Sequence, residues 1–333
     1  MTFSFWLVLF SVSCFASILG LNVSAAFNSA VTVYILIPLL LIPQMILSGL
    51  LFNYDKLNSL ISSKGEVPLV ADMMVSRWAY EAMAVYQFKE NSYQRPYYEL
   101  EKQERQSDFK SAYLIPTLEN KIQYVMDHAG TDNDSIRNIV IKDLHIIKKE
   151  FQKEPYKTGI DSLNLDQVFS LEGIQEVSPE LFKTYFDGMK KHYMNIFNKA
   201  VSNREKLVYH FENQPDLSYE LNDYKNRYYN ESLADLVRNI NVSDRIIEYE
   251  GRLIQRIDPV YNEPTAQTAG FFDYRTHFFA PKKQFAGQLF DTYYFNILVI
   301  WLMTISLYIA LYYELFARFI QRFSDLKIPG INK

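Results

Sequence analysis

Residues 295–313 read FNILVIWLMTISLYIALYY, without one charged side chain, and tyrosines mark both ends at Tyr293, Tyr294, Tyr312 and Tyr313. About 20 helical residues, rising ~1.5 Å each, cross a ~30 Å hydrocarbon layer, and tyrosines gather where that layer meets the headgroups. The run therefore reads as a membrane span. Two further stretches have the same character, residues 3–21 (FSFWLVLFSVSCFASILGL) and 31–52 (VTVYILIPLLLIPQMILSGLLF). The second contains Pro38 and Pro43, which membrane helices tolerate when neighbouring groups satisfy the freed carbonyls. No charge precedes Asp55, and none lies between Asp291 and Glu314. Nearly all the charge of this 333-residue chain thus falls in its middle.

The expected fold class is mainly α: three membrane helices, with a large and mostly helical extracytoplasmic domain inserted before the last. The linker 22–30 is short, so the first two spans should form a tight helical hairpin within residues 1–53. Residues 54–96 read as a re-entrant or interfacial segment, 97–290 as the outer domain, and 291–333 as the last span with a basic tail. That tail carries Arg318, Arg322, Lys327 and Lys333 against Glu314 and Asp325. Cationic flanks favour the cytoplasmic side, which places the C-terminus inside and residues 54–290 outside. A cleaved signal is the other reading of the N-terminus, since Val23-Ser24-Ala25-Ala26 resembles a cleavage site, but the basic region that should precede it is missing. Net charge is −4, so with the tail at +2 the middle holds −6. An acidic middle argues against nucleic acid as a partner. The single cysteine, Cys14, rules out a disulfide within the chain, and the outer domain must rely on its own core, for which an aromatic content of 16% provides material.

Within that domain Ser178-Pro179-Glu180 is a helix start, an N-cap followed by proline at the first helical position. Phe182, Phe186, Met189, Tyr193, Ile196, Phe197 and Ala200 follow at helical spacing. Ile136, Ile139, Val140, Leu144, Ile147 and Phe151 form a second stripe, ended before Pro155. Two more helices are expected over 217–239 and 242–257, the latter closed by Pro259, and 258–283 reads as an extended return to the membrane. Little alternation of apolar and polar residues is present, so extensive sheet is not expected.

Catalytic signals are sparse. The histidines His128, His145, His192, His210 and His277 form no pair at metal-ligand spacing, so no metal site is expected. No phosphate cradle can be assembled from the 11 glycines, and no nucleophile elbow occurs. Asp132/Asp134 and Glu248/Glu250 read as solvated faces. Asn133, Asn230 and Asn241 stand in glycosylation triplets, which carry weight only in a eukaryotic secretory route. The chain is not expected to be an enzyme.

One stretch is more specific. Ile42-Pro43-Gln44-Met45-Ile46-Leu47-Ser48-Gly49-Leu50-Leu51-Phe52-Asn53 is followed by Val75-Ser76-Arg77-Trp78-Ala79-Tyr80-Glu81-Ala82-Met83 and then Gln87-Phe88. This resembles the membrane domain of G-type ATP-binding cassette (ABC) exporters, of the ABC-2 permease type, over about residues 3–90. In that family the fifth membrane helix ends in a Phe-Ser-Gly-Leu-Leu-x-Asn-like motif, and a Ser-x-x-Arg-Tyr-like segment then dips back at the outer surface. The resemblance implies that the three spans are helices four, five and six of a six-helix domain in a bacterial inner membrane. It implies a substrate pathway past Ile42 and Met45, and an outer gate at Leu50 and Leu51. Ser48 and Gly49 would be a small surface for close helix packing, and Arg77 an interfacial residue that orients the re-entrant segment. The plain alternative for Ile42, Met45, Leu50 and Leu51 is contact with lipid or a neighbouring helix. Glu314 and Arg318, four apart, read as an interfacial ion pair.

The family's ATPase domain, first three spans and coupling segment have no counterpart in these residues. The chain is then expected to be the C-terminal portion of a longer protein or one piece of a split transporter. No cofactor is expected in the chain itself; ATP and Mg²⁺ would be handled by a partner ATPase domain, in cis or in trans, within a homo- or heterodimer. The stretch between the last two spans is far longer than the family's loop and lacks its cysteines, so its role is not carried over. Guiding cargo or docking an envelope partner is the expectation for it. The rival expectation is a membrane-tethered binding or sensor module, with the outer domain as receptor. Cargo, direction of transport and dimer partner are not legible in the sequence.

Overall fold

The computed structural model describes residues 1–27, 29–51, 54, 64–158, 164–213, 222–223, 225–264 and 274–325. Phe52 and Asn53 of the motif, residues 217–221 of an expected helix, Gly270, Lys327 and Lys333 lie outside the described residues. In chain order the helices are α1 (Thr2–Ala26), α2 (Ala30–Ile46), α3 (Leu69–Asp72), α4 (Val75–Glu90) and α5 (Tyr98–Phe109). A π turn (Lys110–Leu114) leads into α6 (Ile115–His128), followed by α7 (Asp134–Lys153), α8 (Leu165–Val168), α9 (Gly173–Glu176), α10 (Pro179–Glu212) and α11 (Glu231–Arg238). Strands β1 (Ile246–Tyr249) and β2 (Arg252–Gln255) form one hairpin, and β3 (Lys282–Phe285) and β4 (Gln288–Asp291) another. The chain closes with α12 (Thr292–Tyr312) and α13 (Leu315–Asp325). The protein is mainly helical, and its residues divide into two compact units.

The first unit comprises residues 1–87, 275–283 and 289–333. Two of its helices, α1 and α12, are long and apolar enough to cross a membrane. They pack side by side and run parallel. Near their starts Tyr293 Oη donates to Ser4 O at 2.9 Å, midway the rings of Phe10 and Trp301 meet, and near their ends Asn22 Nδ2 donates to Leu307 O at 3.0 Å. On α12 the buried stripe is Asn296, Ile300 and Thr304, at four-residue spacing. The hydroxyls of Ser11 and Thr304 donate to carbonyls one turn back on their own helices, Leu7 O and Ile300 O, so neither is left unsatisfied. The outward faces stay apolar, with Phe3, Trp6, Leu9, Leu298, Leu302 and Ile305 all exposed. The polar contacts of Asn22 and Tyr293 thus lie between the two helices and these apolar side chains outside, an arrangement compatible with a lipid environment.

The expected second span is shorter than its sequence suggests. Helix α2 stops at Ile46 after 17 residues, because Ser48-Gly49 turns the chain and Gly49 adopts φ +79°. Helix α1 packs on α12 and α13, and α2 buries none of its residues. After α12, Glu314 takes a left-handed conformation, φ 53°, and the chain leaves the helix axis into α13.

The second unit, residues 88–274 with 284–288, has its own core. Its long helix α10 packs on α5, and α6 packs on α7. Ser178 caps α10 as its sequence indicates, its Oγ accepting from Glu180 N at 3.3 Å, and Phe182, Phe186, Met189, Tyr193 and Ala200 are buried. Asn133 caps α7 by accepting from Ser135 N at 3.0 Å. The α7 stripe differs at one place, since Ile139 is exposed and Ile146 is buried in its stead. Phe151 is the hub of the core, with the rings of Tyr185, Phe169, Phe186 and Phe182 centred 4.9, 5.0, 5.8 and 6.4 Å away.

The helix expected over 242–257 is instead the β1–β2 hairpin, paired from Ile246 with Gln255 to Tyr249 with Arg252. Its two-residue turn, Glu250 at φ 48° and Gly251 at φ 69°, has the left-handed geometry that matches strand twist. Turn chemistry and β-branched flanks outweighed an apolar spacing that also fitted a helix. The helix expected over 217–239 contains α11, which begins at its cap Asn230 and ends where Asn239 turns left-handed at φ 49°.

Replacing Phe151 by Ala should cost about 3–5 kcal/mol, and Ile139→Ala on the same helix under about 0.5 kcal/mol. Denaturant titration of the full chain in detergent measures both, and equal effects would show that the core is misplaced.

Candidate functional site

The end of α2 is held in place by polar contacts. Pro43 O accepts from Leu47 N at 2.9 Å, and Leu47 O accepts from Tyr54 Oη at 2.8 Å. Ser48 Oγ donates to Met45 O at 2.8 Å and accepts from Leu50 N at 3.1 Å, so it closes the turn on both sides. Ser76, at the start of α4, donates its hydroxyl to Gln44 O at 2.6 Å and its N–H to Gln44 Oε1 at 3.3 Å. An orphan N–H of the first helical turn is thereby capped by a neighbouring helix. Gly49 has a second reason to be glycine besides its φ: a Cβ there would lie 2.7 Å from ring atoms of Phe278.

Behind this turn lies a buried cluster of four charges. Arg77 is 2% exposed and pairs with Asp72 at 3.5 Å and with Glu81, one turn along α4, at 3.3 Å. Its guanidinium carbon lies 3.7 Å from the centre of the Trp78 ring and 6.0 Å from that of Phe278, so the cation is flanked by π faces. Glu81 is fully buried and accepts from Lys283 Nζ at 2.6 Å, Asn296 Nδ2 at 2.9 Å and Phe279 N at 3.3 Å. Lys283, also fully buried, donates in addition to Thr276 Oγ1 at 2.7 Å. Asn296 Nδ2 reaches Trp78 O at 3.0 Å as well. The cluster therefore ties α4, the 275–283 segment and the first turns of α12 together.

Two carboxylates face two cations, so the cluster is neutral as a whole. Burial opposes the charge on Glu81, but Arg77 and Lys283 beside it prevail and hold its pKa below the usual carboxylate range. Burial pushes Lys283 down to about 8, with Glu81 opposing the shift and Arg77 adding to it. The folded chain thus releases this proton near 8 and the unfolded chain near 10.5, so the contribution of Lys283 to stability rises with pH across that window. That of Glu81 is lost as pH falls through its lowered value. Breaking a buried pair by removing one partner costs several kcal/mol, because the other charge is left without compensation.

Among the described residues the cluster pairs its charges with one another and offers no nucleophile beside a base, so its ion pairs hold the elements together as a clamp. Among the residues expected from the sequence, Arg77 lies in the cluster, and Gly49 meets it through Phe278. The expected helix-packing surface at Ser48 and Gly49 is a turn beyond the helix end, with Ser48 buried and hydrogen-bonded. Ile42, Met45, Leu50 and Leu51 are 53, 57, 61 and 53% exposed, and the structure does not bring them into the cluster. Glu81, Lys283, Asp72, Thr276 and Asn296 had no assigned role. Arg77 and Glu81 at i, i+4 and the lone amide Asn296 in an apolar span were the available signals. Lys283 has no local one, since its partner is 202 residues away.

No family model matches this chain, and comparisons with characterised proteins and with solved structures find no match.

Removing either partner, Glu81→Gln or Lys283→Met, should each cost about 3–5 kcal/mol. The double substitution, which leaves the neutral Arg77–Asp72 pair, should recover most of that loss. A thermal-unfolding cycle on the four proteins reads the coupling, and strictly additive losses would contradict a charge-balanced cluster.

Proposed function

We propose that the chain is the permease portion of a G-type-like ATP-binding cassette exporter, with ATP hydrolysis supplied by a partner ATPase domain. The observation that carries this reading is the parallel packing of α1 and α12. If both cross a membrane in the same direction, the chain between them must cross back an odd number of times. The apolar helix available for that return is α2. Its 17 residues span about 25 Å, and Leu47–Leu51 continue the apolar character to the outer end. This order of span, return and outer segment is what the motif resemblance implies.

On this reading the exposed face of Ile42 and Met45 lines the pathway together with a second copy or partner helices. Leu50 and Leu51 constrict its outer end. The clamp lets α4 and α12 move as one piece when the gate opens, while Arg318 and Arg322 mark the cytoplasmic side. A membrane-tethered binding module is the second reading, favoured by a cavity that residues of the π turn, the end of α7 and the β1–β2 hairpin line in the second unit.

The chain should co-purify stoichiometrically with a Walker-motif ATPase. Leu50→Ala with Leu51→Ala should change passive leak or export severalfold in proteoliposomes of that complex. Unchanged leak and export would remove the gate assignment, and purification without any ATPase would favour the tethered module.

A further inference from the structure

The second unit contains a cavity of 260 Å³ bounded by the π turn, the end of α7, the β1–β2 hairpin and residues 262–264. Its size lies just under the ~300 Å³ at which pockets for drug-sized ligands begin, which suits a molecule as large as an amino acid or dipeptide. π turns are rare and concentrate at functional sites, and here the turn places Lys110 on the cavity wall.

Its polar groups are only partly satisfied. Lys110 Nζ pairs with Glu154 at 3.1 Å and donates to Tyr193 Oη at 2.8 Å, while Tyr193 Oη also bonds Glu154, so this corner is complete. Two other groups are not. Gln106 Nε2 is buried and has no hydrogen-bond partner. The nearly buried Glu150 uses one oxygen on Lys153 Nζ at 2.7 Å, and no other hydrogen bond to its carboxylate is present among the described residues. A buried donor without an acceptor is costly, and native structures rarely keep one without a reason. Leu114 and Leu253 give the cavity an apolar wall.

We propose that this cavity binds a small zwitterion with an apolar side group, of the class of an amino acid or short peptide. Its carbonyl or carboxylate would accept from Gln106, its ammonium would meet the open oxygen of Glu150, and its side group would lie on Leu114 and Leu253. The inference does not depend on the permease reading and survives if that reading fails.

Isothermal titration of the full chain in detergent with glycyl-leucine tests it. Saturable binding is expected, weakened about tenfold by N-acetylation of the probe, by Glu150→Gln and by Gln106→Leu, and abolished by Leu253→Trp, which fills the cavity. If a variant fails to fold, the comparison of the free and acetylated probe on the unaltered chain still decides. No binding of glycyl-leucine, or equal binding of the acetylated probe, would overturn the proposal.

Discussion

The ion pair between Glu81 and Lys283 is the constraint on which the first unit depends. Both side chains are fully buried, and neither charge is tolerable there alone. Arg77 and Asp72 complete a neutral set, while Asn296, Thr276 and the Phe279 amide supply the remaining hydrogen bonds. Such a set has a geometric consequence. Charges in a medium of low polarity hold their partners at short range, so α4, the 275–283 segment and the head of α12 keep one arrangement.

The contact of α1 with α12 follows a different logic. Where lipid is as apolar as the helices, burial of apolar surface does not drive association, and close packing with a few hydrogen bonds must do so. Asn22 to Leu307 O and Tyr293 to Ser4 O supply those bonds at opposite ends of the pair, which fixes register and direction together. The second unit relies instead on an aromatic core around Phe151, as a chain with one cysteine must. Each unit is thus stabilised by the interaction its own sequence can provide.

How much of this was legible can be traced residue by residue. Charge-free runs located α1 and α12, and the caps Asn133 and Ser178 with their apolar stripes located α7 and α10, because capping and 3.6-residue periodicity are local signals. The end of α2 was overrun by six residues, since Leu50 and Leu51 continue the apolar pattern past a turn that only the φ of Gly49 reveals. The β1–β2 hairpin was read as helix, because Ile246, Ile247, Leu253 and Ile254 suit either period and Glu250-Gly251 is a weaker turn signal than Asn-Gly. For the cluster, half was visible: Arg77 and Glu81 sit one turn apart, but Lys283 is joined to them only by tertiary folding. The pairing of α1 with α12 had no local signal for the same reason, since its hydrogen bonds join residues more than 280 positions apart.

The central claim is that α1 and α12 are parallel spans with one return between them. Cysteine accessibility tests it most directly. In a Cys14→Ser background, single cysteines would replace the exposed Ser202 on α10 and the exposed Arg322 on α13, and intact cells would be treated with a membrane-impermeant maleimide. The account predicts labelling at position 202 in intact cells and at position 322 only after permeabilisation. Labelling of both positions from the same side would contradict it.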